Sequence, residues 1–200
     1  MNKNIVWYSG QVHHEHRKTL LQQTPLTFWL TGLSAAGKST LAYALEHQLV
    51  EQGRACYVLD GDNIRHGLNS NLGFGDQDRS ENIRRVAEVA RLMNDAGLIV
   101  ISSFISPFEA DRRKAESIIG TNAYREIYVK ADLATCEARD PKGLYKLARS
   151  GKIDQFTGIS SPYEIPNKPH LVLDSQTSER GDTLASLLAY VLKEIRSSQL

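Results

Sequence analysis

The sequence predicts an α/β fold of three layers, αβα, with five parallel strands between two layers of helices and a lid region. Two observations carry that expectation. Short apolar runs alternate with helix patterns along the body of the chain, and such alternation implies right-handed βαβ crossovers and a parallel sheet. A glycine-containing loop, Gly32 to Gly37, separates the first apolar run from the first helix pattern. In open sheets of this kind ligands lie beyond the carboxyl ends of the strands. The residues that follow each strand are therefore where chemistry is expected.

The elements follow in order. Residues 1–24 are polar and mixed and read as an N-terminal arm; residues 25–200 read as one domain. Thr27 to Thr31 reads as the first strand. Lys38 to Gln52 reads as a helix that Gly53 ends. Ala55 to Leu59 is a second strand stopping at Asp60, and Asp78 to Ala96 a long amphipathic helix stopped by Gly97. Leu98 to Ile101 is a third strand. Pro107 to Ile119 is a helix with proline near its start, where a missing N–H costs little. Ile127 to Val129 is a fourth strand, followed by a short helix from Leu133 to Arg139. Residues 140–167, rich in Gly, Pro, Lys and Ser, read as a loop region. Leu171 to Leu173 is the fifth strand and Asp182 to Ser197 the closing helix.

Composition narrows the class. The 200 residues suit one domain. Hydrophobic residues at 41% and charged residues at 24% allow an ordinary core. A net charge of +1 argues against binding a nucleic acid polymer, which selects for a basic excess. No run approaches the roughly 20 apolar residues of a membrane span, which argues against a membrane partner. The first residues lack a signal-peptide pattern. Cys56 and Cys136 are too far apart to make a metal pair and fit a reducing compartment. The expected location is cytoplasmic. His13, His14 and His16 lie in the arm with no carboxylate-rich or cysteine cluster to support a metal, which favours a plain arm over a metal site.

The most specific motif is Gly32-Leu33-Ser34-Ala35-Ala36-Gly37-Lys38-Ser39-Thr40, which fits the P-loop pattern at every fixed position. Its glycines let the backbone turn successive N–H groups toward phosphate oxygens, and the helix that follows adds partial positive charge. Lys38 is expected at the β- and γ-phosphates of ATP, and the Ser39 hydroxyl on Mg²⁺. The loop alone does not separate kinases from GTPases, motors or transporters.

The other strand ends make that separation. The second strand runs into Asp60-Gly61-Asp62-Asn63-Ile64-Arg65. If the strand continues, Asp60 and Asp62 share a face and can hold the metal's waters or accept a hydroxyl proton. An Asx-turn with a helix cap explains one of them. The third strand ends in Ser102-Ser103-Phe104-Ile105-Ser106-Pro107, with serine where motor and transporter ATPases place aspartate. Ser106 suits either a helix cap or a substrate contact. Phe74, Arg79, Asn82, Arg84 and Arg85 combine an aromatic, an amide and cations, a mixture suited to a nucleotide-like acceptor; Arg84 and Arg85 are expected to divide between site and surface. Arg139 to Tyr145 reads as a basic flap able to close over phosphates.

Taken together, these pieces resemble the adenylyl-sulfate kinase (APS kinase) family. The resemblance is carried by Trp29 to Ser34, Leu59 to Leu68, Asn71 to Phe74, Asp78 and Arg79 with Glu81 to Arg85, Phe104 to Pro107, Glu137 to Tyr145, and Phe156 to Ile159. It implies a P-loop kinase that phosphorylates the 3′-hydroxyl of adenosine 5′-phosphosulfate (APS) with ATP and Mg²⁺. A homodimer and functional coupling to an ATP sulfurylase follow from the same resemblance. It places Lys38, Asp60, Asp62 and Ser106 in catalysis, with Asp60 near the acceptor hydroxyl and Asp62 nearer the metal with Ser39, an order the residues leave reversible. Arg139 joins the loop residues Gly32 to Thr40 around ATP. Arg65, Phe74, Arg79, Asn82, Ile105, Ser106, Lys142, Gly143, Leu144 and Phe156 join Asp60 around the acceptor, with Phe74 and Phe156 stacking on its adenine. In the family the residue at the Ser106 position has been assigned a phosphorylated intermediate; direct in-line transfer is preferred here, because it needs only alignment and charge neutralisation. The runner-up is another small-metabolite P-loop kinase. A GTPase is excluded, because Asn167-Lys168-Pro169-His170 lacks the guanine-reading aspartate.

Overall fold

A computed structural model describes residues 4–6 and 8–196. Five strands, β1 (Thr27–Thr31), β2 (Cys56–Asp60), β3 (Ile99–Ser103), β4 (Tyr124–Lys130) and β5 (Leu171–Asp174), pair in parallel in the order β2-β3-β1-β4-β5. Among the described residues, eight helices connect and flank them: α1 (His14–Leu21), α2 (Lys38–Glu51), α3 (Gly61–Arg65), α4 (Asp76–Asp95), α5 (Glu109–Ile119), α6 (Leu133–Arg139), α7 (Leu144–Arg149) and α8 (Arg180–Ile195).

Alternation along β1 sorts the two faces. Phe28 and Leu30 pack with Leu41, Leu45 and Leu49 of α2 and Leu187 and Val191 of α8. Trp29, between them, packs on the other face with Ile83, Val86 and Ala90 of α4 and Ala115 of α5. A central parallel strand covered on both faces has no solvent side, so all five residues of β1 are buried. The crossover from β1 through α2 reaches the sheet edge at β2, and β3 then fills the gap beside β1. The carboxyl ends of β1, β2 and β3 therefore open side by side.

Several expectations change. The arm contains α1, whose Arg17 pairs with Asp95 at 3.2 Å; Gln23, just after it, donates to the carbonyls of Ala55 and Gly97 at 2.8 and 2.9 Å. Residues 140–167 contain α7, set on Gly143 with φ +68°. β4 begins three residues earlier than the apolar pattern suggests, because Glu126 is a buried strand residue neutralised by Arg112. The third helix pattern starts at Glu109 rather than Pro107, with Phe108 as its extended cap. Ser197, the expected last residue of the closing helix, lies outside the described residues, as do positions 1–3 and 7 of the arm. Among the described residues no helix is long and apolar enough to cross a membrane.

Candidate active site

The loop from β1 to α2 is shaped by two glycines. At Gly32 a Cβ would collide with the Val129 carbonyl oxygen of β4, so the chain leaves the sheet there only without a side chain. Gly37, at φ +98°, caps α2 and supplies no side-chain acceptor. The first N–H groups of α2 are thus left for an anion, in the orientation that favours phosphate. Ala35 adopts φ +61°, a left-handed conformation that an L-residue holds at a cost. Neighbouring segments fix the outside of the loop: Tyr145 Oη donates to the Ser34 carbonyl at 3.0 Å, and Ser175 Oγ to the Ala36 carbonyl at 2.8 Å.

Lys38 lies in the loop's curve, its Nζ donating to the Leu33 carbonyl at 2.7 Å. Burial pushes its ammonium down to about 8, a shift that nearby Asp60 and Asp62 oppose. A polyanion in the loop would restore the charge. The next residue, Ser39, donates its hydroxyl to Asp60 Oδ2 at 2.7 Å and lies 3.2 Å from Ser103 Oγ. Three oxygens from α2, β2 and β3 thus meet beside Lys38.

Asp60 and Asp62 do not share a strand face. β2 stops at Asp60, and the chain turns at once into α3, whose N–H groups at Asp62 and Asn63 bond the Asp60 carboxylate at 3.0 and 3.5 Å. Asp60 therefore caps α3 with one oxygen and holds Ser39 with the other. Asp62, two residues on in the first turn of α3, is exposed and ion-paired with Lys142 of the flap, 80 residues away in sequence. The segment around Lys142 is thereby tied to α3 beside the loop. At its base, Arg139 Nη2 donates to the Ser175 carbonyl at 2.5 Å.

The other side of the site is built from α4 and the loop after β3. The Arg65 guanidinium lies 4.3 Å over the Phe74 ring and donates to the Leu72 and Gly73 carbonyls at 3.0 and 2.8 Å. Phe74 is 65% exposed. Arg79 donates to the Phe74 carbonyl at 2.7 Å, to Thr157 Oγ1 at 2.8 Å and to the Gln155 carbonyl. It clamps the loop before α4 to a strap formed by residues 155–164. Asn82, buried, accepts from Asn69 Nδ2 at 2.9 Å. Ser106 sits at φ +40° with its hydroxyl accepting from the Trp29 indole at 3.1 Å. The Ile105 carbonyl accepts from Thr31 Oγ1 at 2.7 Å.

Three expectations sit differently here. Arg84 and Arg85 both bond Glu81, at 2.7–2.9 Å, and Arg85 alone reaches on to the loop before α4, donating to Asn71 Oδ1 at 2.8 Å, so each is held by protein partners. Phe156 stands edge-on to Tyr145, ring centroids 4.9 Å apart, inside the core cluster. The three arm histidines form a helix start, the His16 ring nitrogen accepting from the His13 N–H at 3.0 Å. Trp29, whose indole N–H donates to the Ser106 hydroxyl, and Ser103, Thr157 and Arg112 also shape the site, beyond the residues expected there. Ser103 is legible as the end of the third strand, but a neutral hydroxyl there carries no motif of its own.

A cavity of about 620 Å³ opens between the ends of β4 and the strap, lined by Tyr128, Leu133, Ile159 and Tyr163. Of the expected site residues only Leu33 reaches it, so we place the chemistry at the convergence of Lys38, Ser39 and Asp60.

The chain is similar to known proteins over most of its length. Residues 24–174 match the family described as adenylylsulphate kinase. An adenylyl-sulfate kinase of Marinobacter nauticus is 52% identical over 188 residues, 94% of each chain. One from Bacillus licheniformis is 51% identical over 191 residues, covering 96% of this chain and 97% of that one. Among solved structures, the Mycobacterium tuberculosis APS kinase CysC in complex with AMPPNP and APS superposes with a TM-score of 0.78 at 43% identity, over 86% of this chain and 97% of that one.

Proposed function

The chain belongs to the adenylylsulphate kinase family, and from that membership and its site we infer how it works. It transfers the γ-phosphoryl group of ATP to the 3′-hydroxyl of adenosine 5′-phosphosulfate, releasing 3′-phosphoadenylyl sulfate and ADP. The observation that carries the reading is the meeting of Lys38, Ser39 and Asp60 at the mouth of α2, beside an acceptor side built from Arg65, Arg79, Asn82 and Ser106.

In this reading the N–H groups of Gly32 to Thr40 hold the β-phosphate, and Lys38 neutralises charge passing between the β- and γ-phosphates. Ser39, Asp60 and Ser103 offer hard oxygen donors, the set that suits Mg²⁺. Mg²⁺ would supply charge neutralisation on the phosphate oxygens. We assign Asp60 to the metal side, because the oxygen that does not cap α3 already engages Ser39. Asp62 and Lys142 then stand at the flap, where Lys142 can exchange Asp62 for a phosphate oxygen. Gly143 lets the flap turn, and Leu144 and Phe156 line its inner side. Arg65 and Arg79 take the phosphosulfate end, with Phe74 against the base. Arg139 borders the ATP base beside Ser175.

Direct in-line transfer is favoured over a phosphoserine. The Ser106 hydroxyl faces an indole N–H, which is a donor and cannot remove its proton. Alignment and charge neutralisation account for most phosphoryl-transfer catalysis. We also propose a cytoplasmic homodimer that works downstream of an ATP sulfurylase; sedimentation of the purified chain tests the dimer.

The deciding experiment is coupled ADP release with APS, AMP, adenosine and gluconate as acceptors. Turnover is expected with APS alone. Absence of APS-dependent turnover, or preference for gluconate, would overturn the assignment.

A further inference from the structure

Arg112 of α5 is a charged side chain buried inside the fold, 1% exposed. Its Nε donates to Glu126 Oε1 of β4 at 2.8 Å. Nη1 donates to the Ser106 and Pro107 carbonyls at 2.9 and 3.2 Å, and Nη2 to the Glu164 carbonyl at 2.9 Å. The three carbonyls belong to two segments of the acceptor side. Ser106 and Pro107 lie in the loop after β3, and Glu164 closes the strap that Arg79 clamps at Thr157.

Other bonds join the same two segments. The Glu164 N–H donates to the Pro107 carbonyl at 2.9 Å, and the Glu109 N–H to Glu164 Oε2 at 2.6 Å. Tyr163 Oη lies 3.0 Å from Thr31 Oγ1, which itself donates to the Ile105 carbonyl. Ser106 holds its left-handed backbone inside this frame, a conformation that persists only where the surroundings fix it.

Fold stability alone does not call for this arrangement. Replacing a buried ion pair by packed apolar residues is often neutral or stabilising. What an apolar residue cannot supply is a planar fork reaching three carbonyls on two segments, and lysine lacks the same fork. We propose that Arg112, oriented and neutralised by Glu126, is a positioning residue for the acceptor: it sets the spacing between the Ser106 turn and the strap that carries Phe156 and Thr157. The proposal rests on the reading of that side as the APS site. It touches no part of the ATP loop, so its effect belongs to one substrate.

Arg112→Lys keeps the charge beside Glu126 and removes the fork. Glu164→Ala is a surface change that releases the strap end from Glu109. Steady-state kinetics with each substrate varied, beside melting curves, read both. In Arg112→Lys the KM for APS is expected to rise at least tenfold with the KM for ATP within twofold. In Glu164→Ala the KM for APS is expected to rise at least threefold, again with ATP unchanged. A KM for APS within twofold of wild type, or a parallel rise of both KM values, overturns the proposal. If Arg112→Lys does not fold, Glu164→Ala decides by the same ratio. Wild-type protein without APS turnover would instead refute the functional reading, which separates the two failures.

Discussion

At the residue scale, Lys38 and Ser106 carry opposite expectations although both are buried at the site. Lys38 is held against the Leu33 carbonyl by a single neutral partner, and burial has already weakened its proton affinity. Its charge is therefore poised to be completed by phosphate. Lys38→Ala should reduce kcat/KM for ATP by about 10²–10³, the usual effect of removing a preorganised donor to developing charge; single-turnover ADP release measures it. Ser106→Ala removes a hydroxyl whose partner is the Trp29 indole. It should retain measurable turnover, and its KM for APS should rise more than its kcat falls. A variant without detectable activity, together with radiolabelled phosphate trapped on wild-type Ser106, would replace direct transfer by a covalent intermediate. The two substitutions separate a group that acts on charge from one that acts on position.

At the element scale, α4 shows what patterning reveals and what it hides. Its amphipathic period is plain in the sequence, and so is its end at Gly97. Asn82 stands on its buried face, where an amide breaks the apolar pattern, and only the fold supplies its partner Asn69. Asn82→Leu leaves the Asn69 amide without that acceptor and should cost about 1–3 kcal/mol, the penalty of a buried unsatisfied polar group. The urea midpoint should fall without a change of slope, and the KM for APS should rise. The P-loop was legible because its chemistry is local: strand, glycines, lysine and helix are adjacent in the chain. The residues themselves point to Phe74, Arg79 and Asn82, and the resemblance adds further acceptor residues such as Arg65 and Ile105. It could not supply the turn at Asp60, where a five-residue helix replaces a strand continuation. The start of β4 was hidden for a related reason: Glu126 reads as polar surface until Arg112, 14 residues earlier, is placed beside it. Helices α1 and α7 went unread because neither needs a long apolar stripe. The first has no buried residue, and the second rests on a glycine cap.

At the scale of the whole molecule, the site is where separate elements are tied rather than a feature of one of them. The ATP loop is bonded from outside by Tyr145 and Ser175, and from inside by Asp60 through Ser39. A ligand that fills the loop acts on α2, β2, β3 and the flap together, so binding should stabilise the fold as a unit. Binding to the folded state alone adds about 2.7 kcal/mol at a ligand concentration 100 times Kd. For a domain of this size each kcal/mol raises Tm by about 2–4 °C, so MgATP at that excess should shift the melting transition upward by about 5–11 °C. Adding EDTA to the same mixture should remove much of the shift, if the oxygens of Ser39, Asp60 and Ser103 hold Mg²⁺. Lys38→Ala at the same ATP concentration should lose most of it as well. Thermal scans with ATP, with ATP and EDTA, and with APS alone measure these terms separately. A shift that EDTA leaves intact would mean that the loop binds the triphosphate without a divalent cation, and the assignment of Ser39, Asp60 and Ser103 to Mg²⁺ would fall.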